Sequence, residues 1–170
     1  AAAAARFDWS WELPAFCVLF AALLAIAVID LAHYVIPNRI LGPATVLGMA
    51  LLGVAAVGEA EFGAFGRALA GGSAAFAGLL VTNLISPRGM GMGDVKLSFL
   101  LGLHLGWLGW GEVALGFFSA FFLSAVVGIF LVALRVRTRS EAIPFGPFLA
   151  LGTVMTVLVG EPVLRWYSGA

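Results

Sequence analysis

Long apolar runs dominate this sequence and limit what it can fold into. A helix that crosses the hydrocarbon core of a bilayer needs about 20 largely apolar residues. Six segments meet or approach that length: Leu13–Leu31, Ile40–Val57, Phe65–Ile85, Val95–Trp110, Val113–Val136 and Phe145–Leu164. Helices satisfy every backbone polar group within one segment, which lipid demands. We therefore predict an all-α polytopic membrane protein, a bundle of six transmembrane helices, in which the fourth span is the shortest.

The composition excludes several other classes of protein. The chain is 62% hydrophobic and only 11% charged, whereas soluble domains average about 25% charged residues. The net charge is zero, so no basic surface for nucleic acid is expected. The single cysteine, Cys17, excludes a disulfide framework and a multi-cysteine zinc site. We expect no metal, no cofactor and no nucleic acid partner, and a lipid bilayer as the surroundings.

The basic residues of the loops predict an orientation. If the N-terminus lies outside, the loops after the first, third and fifth spans face the cytoplasm, where basic residues accumulate. Those loops hold Arg39, Arg88, Lys96, Arg135, Arg137 and Arg139. The opposite side holds only Arg6, Arg67 and Arg165. We predict an N-out and C-out arrangement of one domain over residues 1–170, with residues 1–12 as an extracytoplasmic N-terminal segment.

Two aspartates stand at the predicted cytoplasmic ends of spans. Asp30 closes the first apolar run in "AIAVIDLAHYVIPN", and Asp94 opens the fourth in "GMGDVKL". A carboxylate at membrane depth costs about 2.5–3.5 kcal/mol on insertion scales, and less near the interface. Asp94 has a structural explanation as a helix N-cap. Asp30 has a weaker one, since it would reach the headgroups or pair with Arg39 against the helix dipole.

The functional alternative treats the two aspartates as one catalytic pair. Two carboxylates within hydrogen-bond reach share a proton. The ionised one acts as a general base on water, and the protonated one polarises the carbonyl that is attacked. The two positions lie 94 − 30 = 64 residues apart, so only the fold brings them together. The glycines before Asp94 are expected to permit positive φ and close approach of another chain segment.

Three motifs in order resemble the type IV prepilin peptidases, a family of GxGD intramembrane aspartyl proteases. They are "IDLAHYVIPN" at Ile29–Asn38, "GMGDVKL" at Gly91–Leu97 and "IPFGPFLALG" at Ile143–Gly152. The resemblance implies that Asp30 and Asp94 are catalytic. It also implies a second set, of residues that bind substrate or shape the site: Gly91, Gly93, Lys96, Pro144, Phe145, Gly146 and Pro147.

The resemblance further implies a substrate and a place in the cell. Its members remove the short basic leader of prepilins or pseudopilins, the subunits of type IV pili and related secretion systems. The protein is then a multi-pass protein of the bacterial inner membrane, with its active site on the cytoplasmic side. Larger members carry CxxC pairs and also N-methylate the new terminus, but this sequence has no CxxC pair. Methyltransferase activity is therefore unsupported, whether the chain is a naturally short member or a shortened one.

A small proton-coupled transporter is the alternative function, because transporters also carry intramembrane carboxylates. Such a protein is expected to place polar residues deep in several spans and often to show an internal repeat. Here the ionisable residues gather at one interface, and the two halves show no repeat. These features favour the peptidase.

Overall fold

The computed structural model describes residues 10–86, 90–134 and 144–169, and these form six α-helices. The helices are α1 (Leu13–His33), α2 (Asn38–Gly58), α3 (Phe62–Ile85), α4 (Met92–Leu108), α5 (Trp110–Ala133) and α6 (Gly146–Ser168). No strand occurs in these three ranges. The predicted all-α class is confirmed. All helices except α4 are long and apolar enough to cross a membrane, so the count of six spans stays a prediction.

Local signals explain where the helices next to the site begin and end. A proline in the first turn of α1 and of α6 suits positions whose backbone N–H has no partner inside the helix. Tyr34 ends α1 in the left-handed conformation, with φ of 56° and its N–H 2.8 Å from the carbonyl oxygen of Asp30. Helix α1 therefore runs two residues beyond the predicted end at Leu31, and Asp30 lies in its last turn.

Helix α4 is the central element of the bundle and contacts each of the other five helices. Its residues 100–107 are all buried. With 17 residues it rises about 25 Å, less than the roughly 30 Å of a hydrocarbon core. Because neighbouring helices surround it, α4 does not need a long lipid-facing surface.

Small residues bring α3 and α4 close together. A Cβ atom added at Gly71 would lie 2.7 Å from the carbonyl oxygen of Gly102, and one added at Gly106 would lie 2.8 Å from that of Arg67. Close backbone approach through small residues is typical of helix packing in membranes. Arg67 completes the contact, since its side chain donates hydrogen bonds to the carbonyls of Gly106 and Trp107 at the end of α4.

The described residues leave the predicted orientation untested. That prediction counts several arginines that lie outside the described ranges, namely Arg6, Arg88, Arg135, Arg137 and Arg139. The N-out and C-out arrangement remains a prediction.

Candidate active site

Asp30 is a buried carboxylate at the end of α1. Only 4% of the residue is exposed. The backbone N–H of Gly146, the first residue of α6, donates a hydrogen bond to this carboxylate. Asp30 and Arg39 both lie in the described part of the chain, and they form no ion pair with each other. Neither exposure to headgroups nor pairing with Arg39 therefore explains its position.

Asp94 is buried in the first turn of α4, with 8% of the residue exposed. Its Oδ2 atom accepts a hydrogen bond of 3.1 Å from the backbone N–H of Gly91. Its Oδ1 atom is also buried and has no hydrogen-bond partner among the described residues. The carboxylate thus closes the first turn of the helix with one oxygen, whereas the other oxygen takes no part in capping the helix. Helix capping therefore explains the position of only one of the two carboxylate oxygens of Asp94.

Both carboxylates line the same cavity, which has a volume of about 340 Å³. The cavity is lined by Asp30, Tyr34, Val35, Ile36, Asn38, Gly91, Met92, Gly93, Asp94 and Lys96. It is formed where the end of α1, the start of α2 and the start of α4 meet. We refer to it below as the aspartate cavity.

Ile36 packs where the three sequence motifs meet. A Cβ atom added at Gly93 would lie 3.0 Å from Cβ of Ile36, and one added at Gly146 would lie 3.3 Å from its Cδ1. The side chain is 8% exposed. The short connection between α1 and α2 is therefore held against the starts of both α4 and α6.

The expectation of positive φ at the motif glycines is wrong for Gly91 and Gly93. Gly91 has φ of −76°, and Gly93 is not among the described glycines with positive φ. The glycines are needed for space rather than for an unusual backbone. At Gly93 a side chain would press on Ile36 and move the connection that carries part of the cavity wall.

Of the other predicted site residues, one lines the aspartate cavity and three do not. Lys96 lines the cavity, and its Nζ atom donates a 3.3 Å hydrogen bond to Oδ1 of Asn38. Pro144 and Phe145 do not line the cavity, and the Phe145 ring packs on Phe121 with centroids 5.0 Å apart. Pro147 lines a separate apolar groove on the α1–α6 side.

Asn83 supports the site through a partner that the sequence did not indicate. Its side-chain Nδ2 atom, in the last turn of α3, donates a 2.7 Å hydrogen bond to the carbonyl of Met90. Met90 directly precedes Gly91, so this bond holds the segment that donates to Asp94. The signal in the sequence was an isolated amide in an apolar helix, which predicts a hydrogen bond but not its partner.

The other buried polar residues, Ser98, His104, Thr153 and Thr156, do not line the cavity. Ser98 bonds the carbonyl of Val95, and His104 lies 2.9 Å from that of Leu100 through Nδ1. Both bonds stay within α4. Among the described residues, no group of three His, Cys, Asp or Glu side chains could hold a metal ion. The chemistry that the described site offers is that of two carboxylates that face one small cavity.

Comparison with known proteins agrees with the motifs. A model of the type IV leader peptidase family matches residues 17–133. The protein named prepilin leader peptidase/N-methyltransferase from Aeromonas hydrophila is 34% identical over 160 residues, which are 92% of this chain and 53% of that protein. No solved structure matches the chain.

Two other bacteria contain similar proteins of the same name. The protein from Pseudomonas aeruginosa is 32% identical over 165 residues, which cover 95% of this chain and 55% of that protein. The protein from Bacillus subtilis is 30% identical over 167 residues, with 98% and 64% covered. The chain thus spans only about half to two thirds of the length of the curated relatives it matches.

Proposed function

The chain belongs to the type IV leader peptidase family, and from this premise we propose that it is a membrane aspartyl endopeptidase. In this proposal it removes the short leader of prepilins or pseudopilins at the cytoplasmic face of the bacterial inner membrane. The names of its relatives, prepilin leader peptidase/N-methyltransferase, support the peptide substrate. The proposal covers the peptidase activity alone, because the sequence has no CxxC pair.

One observation carries the proposal. Asp30 and Asp94 are remote in sequence, are both buried, and line one cavity of about 340 Å³. Two carboxylates at such a place cost free energy, because burial of a charge in or near lipid is unfavourable. A pair that shares a proton lowers this cost and forms an acid and a base side by side.

The reaction follows from that pair. The ionised carboxylate takes a proton from water, whose oxygen attacks the carbonyl carbon of the scissile peptide bond. The protonated carboxyl group gives its proton to the carbonyl oxygen, which forms a neutral diol. Collapse of the diol breaks the C–N bond. The proton held by the first carboxylate passes to the leaving amine, and one hydroxyl proton of the diol returns to the second carboxylate, which restores the starting pair. The N–H groups of Gly146 and Gly91 orient the two carboxylates for these steps.

Replacing each aspartate tests this proposal. Purified protein in detergent is incubated with a prepilin-like peptide that has a basic leader, a glycine at the cleavage point and an apolar helix. We expect Asp30→Asn and Asp94→Asn each to lower kcat by about a thousandfold or more, as loss of a catalytic group does. Glu61→Gln is the matched control, because Glu61 is exposed and lies between α2 and α3. It should cleave at the normal rate.

The same variants separate the peptidase from the transporter. Wild-type protein in vesicles is expected to leave a pH gradient intact while it cleaves the peptide. Cleavage that persists in both aspartate variants would contradict the proposal. Proton flux that depends on Asp30 or Asp94, without cleavage by the wild type, would instead support the transporter.

A further inference from the structure

An apolar groove opens beside the aspartate cavity. It is lined by Asn38, Leu41, Gly42, Thr45 and Val46 of α2, Phe76 of α3, and Lys96 and Phe99 of α4. Its volume is about 520 Å³, larger than that of the aspartate cavity. Val46 lies 46 − 38 = 8 residues beyond Asn38, so the groove extends about 12 Å along α2. We refer to it as the α2–α4 groove.

This groove adjoins the aspartate cavity and shares two lining residues with it. Asn38 and Lys96 line both spaces, and they are joined by the hydrogen bond of 3.3 Å between Nζ and Oδ1. We call this pair the neck. The second apolar groove, on the α1–α6 side, shares no lining residue with the cavity. The shared residues therefore distinguish the α2–α4 groove from the groove on the α1–α6 side.

The neck has the chemistry that an unwound peptide requires. A peptide bond inside a helix is shielded, so the substrate must be extended where it is cut. Its backbone N–H and C=O groups then lose their helical partners, which is costly near lipid. The Lys96 ammonium offers further donors, and the Asn38 amide offers donors and an acceptor. Both side chains are exposed. A lipid tail has no polar groups that would need such partners at this position.

We propose that the α2–α4 groove docks the apolar helix that follows the cleaved bond of the substrate. In this arrangement the neck binds the unwound backbone between that helix and the scissile bond. The groove then places the bond over the two aspartates and makes an apolar segment on the product side a requirement for tight binding. This inference rests on the proposed function and specifies how the same site recognises its substrate.

Filling the groove tests the inference. A Cβ atom added at Gly42 or at Gly78 would have no heavy atom within 4 Å. Gly42→Leu fills the groove, whereas Gly78→Leu adds the same side chain to an exposed position of α3 outside it. Leucine also favours a helix over glycine, so both variants are expected to fold. Two probes are compared, a prepilin-like peptide with an apolar segment of about 20 residues and the same peptide without that segment.

We expect Gly42→Leu to raise KM for the long peptide by about tenfold or more, since it removes binding that precedes chemistry. Cleavage of the short peptide should stay at the wild-type rate, and Gly78→Leu should match the wild type with both peptides. An unchanged KM for the long peptide in Gly42→Leu would overturn the inference, and so would equal slowing of both peptides. If the wild type cleaved neither the long nor the short peptide, both the proposed function and the inference would be contradicted.

A photoreactive residue gives a second, independent measurement. Val46 lines the groove and is 63% exposed, so a photoreactive phenylalanine analogue there should crosslink to the long peptide in the Asp94→Asn background. The same analogue at exposed Leu151, in the α1–α6 groove, should not. Adducts of position 46 with lipid only, or with a second copy only, would show a different occupant and overturn the inference.

Discussion

Gly146 is the residue whose lack of a side chain most directly constrains the candidate site. Its N–H donates to the Asp30 carboxylate, and a Cβ atom on it would lie 2.6 Å from Oδ2 of Asp30. That separation is shorter than any ordinary contact. A side chain at residue 146 must therefore displace the carboxylate, the start of α6, or both.

We predict that Gly146→Ala lowers kcat for the prepilin-like peptide by about tenfold to a hundredfold, which corresponds to roughly 1.4–2.8 kcal/mol of transition-state stabilisation. KM should change little, because the displaced group acts on the reacting bond rather than on the docked helix. Gly66→Ala is the control, as a Cβ atom there meets open space. A wild-type kcat in Gly146→Ala would show that the position of Asp30 is unimportant.

Sequence reasoning singled out Asp30 and Asp94, which line the aspartate cavity, but not all the reasons for the residues around them. Asp30 and Asp94 could be singled out because a carboxylate in an apolar run is costly and rare. The glycines were expected to supply positive φ, whereas Gly93 and Gly146 leave room for Ile36 and Asp30. The neck partner Asn38 and the support from Asn83 depend on which segments touch. Contacts of this kind follow from tertiary packing, which no local pattern reports.

At the scale of elements, the central helix α4 depends on close contact with α3. Gly102 faces Gly71 so tightly that a Cβ atom at Gly102 would lie 2.5 Å from the carbonyl oxygen of Gly71 and 2.7 Å from Cβ of Ala75. Both obstacles belong to the partner helix, and one is backbone. Since α4 carries Asp94 in its first turn, a shift of α4 also moves the site.

We predict that Gly102→Ala lowers the free energy of unfolding by about 1–3 kcal/mol, the usual cost of overpacking a tight core. Gly78→Ala lies on the other helix of this pair, where a Cβ atom meets nothing, and it should be neutral or slightly stabilising. Denaturation in mixed detergent micelles, followed by circular dichroism, measures both. Equal stability of the two variants would mean that the α3–α4 contact is looser than described here.

The helices themselves were predictable because each apolar run indicates its own helix. Helix α4 is only partly explained in this way. Val95–Trp110 was expected to be the shortest span, and α4 does have the fewest residues of the six described helices. It also begins three residues earlier, at Met92, because Asp94 closes its first turn with the N–H of Gly91. Its central position could not be foreseen, since burial among other helices and exposure to lipid both select apolar side chains.

For the molecule as a whole, the orientation in the membrane decides which side the aspartate cavity faces. The cavity lies at the His33–Asn38 connection and the start of α4, so it faces the same side as the end of α3. The counts of basic residues predict that this side faces the cytoplasm. The two residues that flank α3, Glu61 and Ser86, are both exposed, and they lie on opposite sides of the predicted membrane.

Labelling at these two positions tests the orientation. Cys17 is exposed and is first replaced by serine, and single cysteines are then introduced as Glu61→Cys and Ser86→Cys. In intact cells a membrane-impermeant maleimide should label position 61 and should label position 86 only after permeabilisation, because α3 has 24 residues and rises about 36 Å, enough to cross the bilayer. The reverse pattern would place the aspartate cavity outside the cell. A cytoplasmic leader would then be out of its reach, and cleavage at the inner face by this site would be excluded.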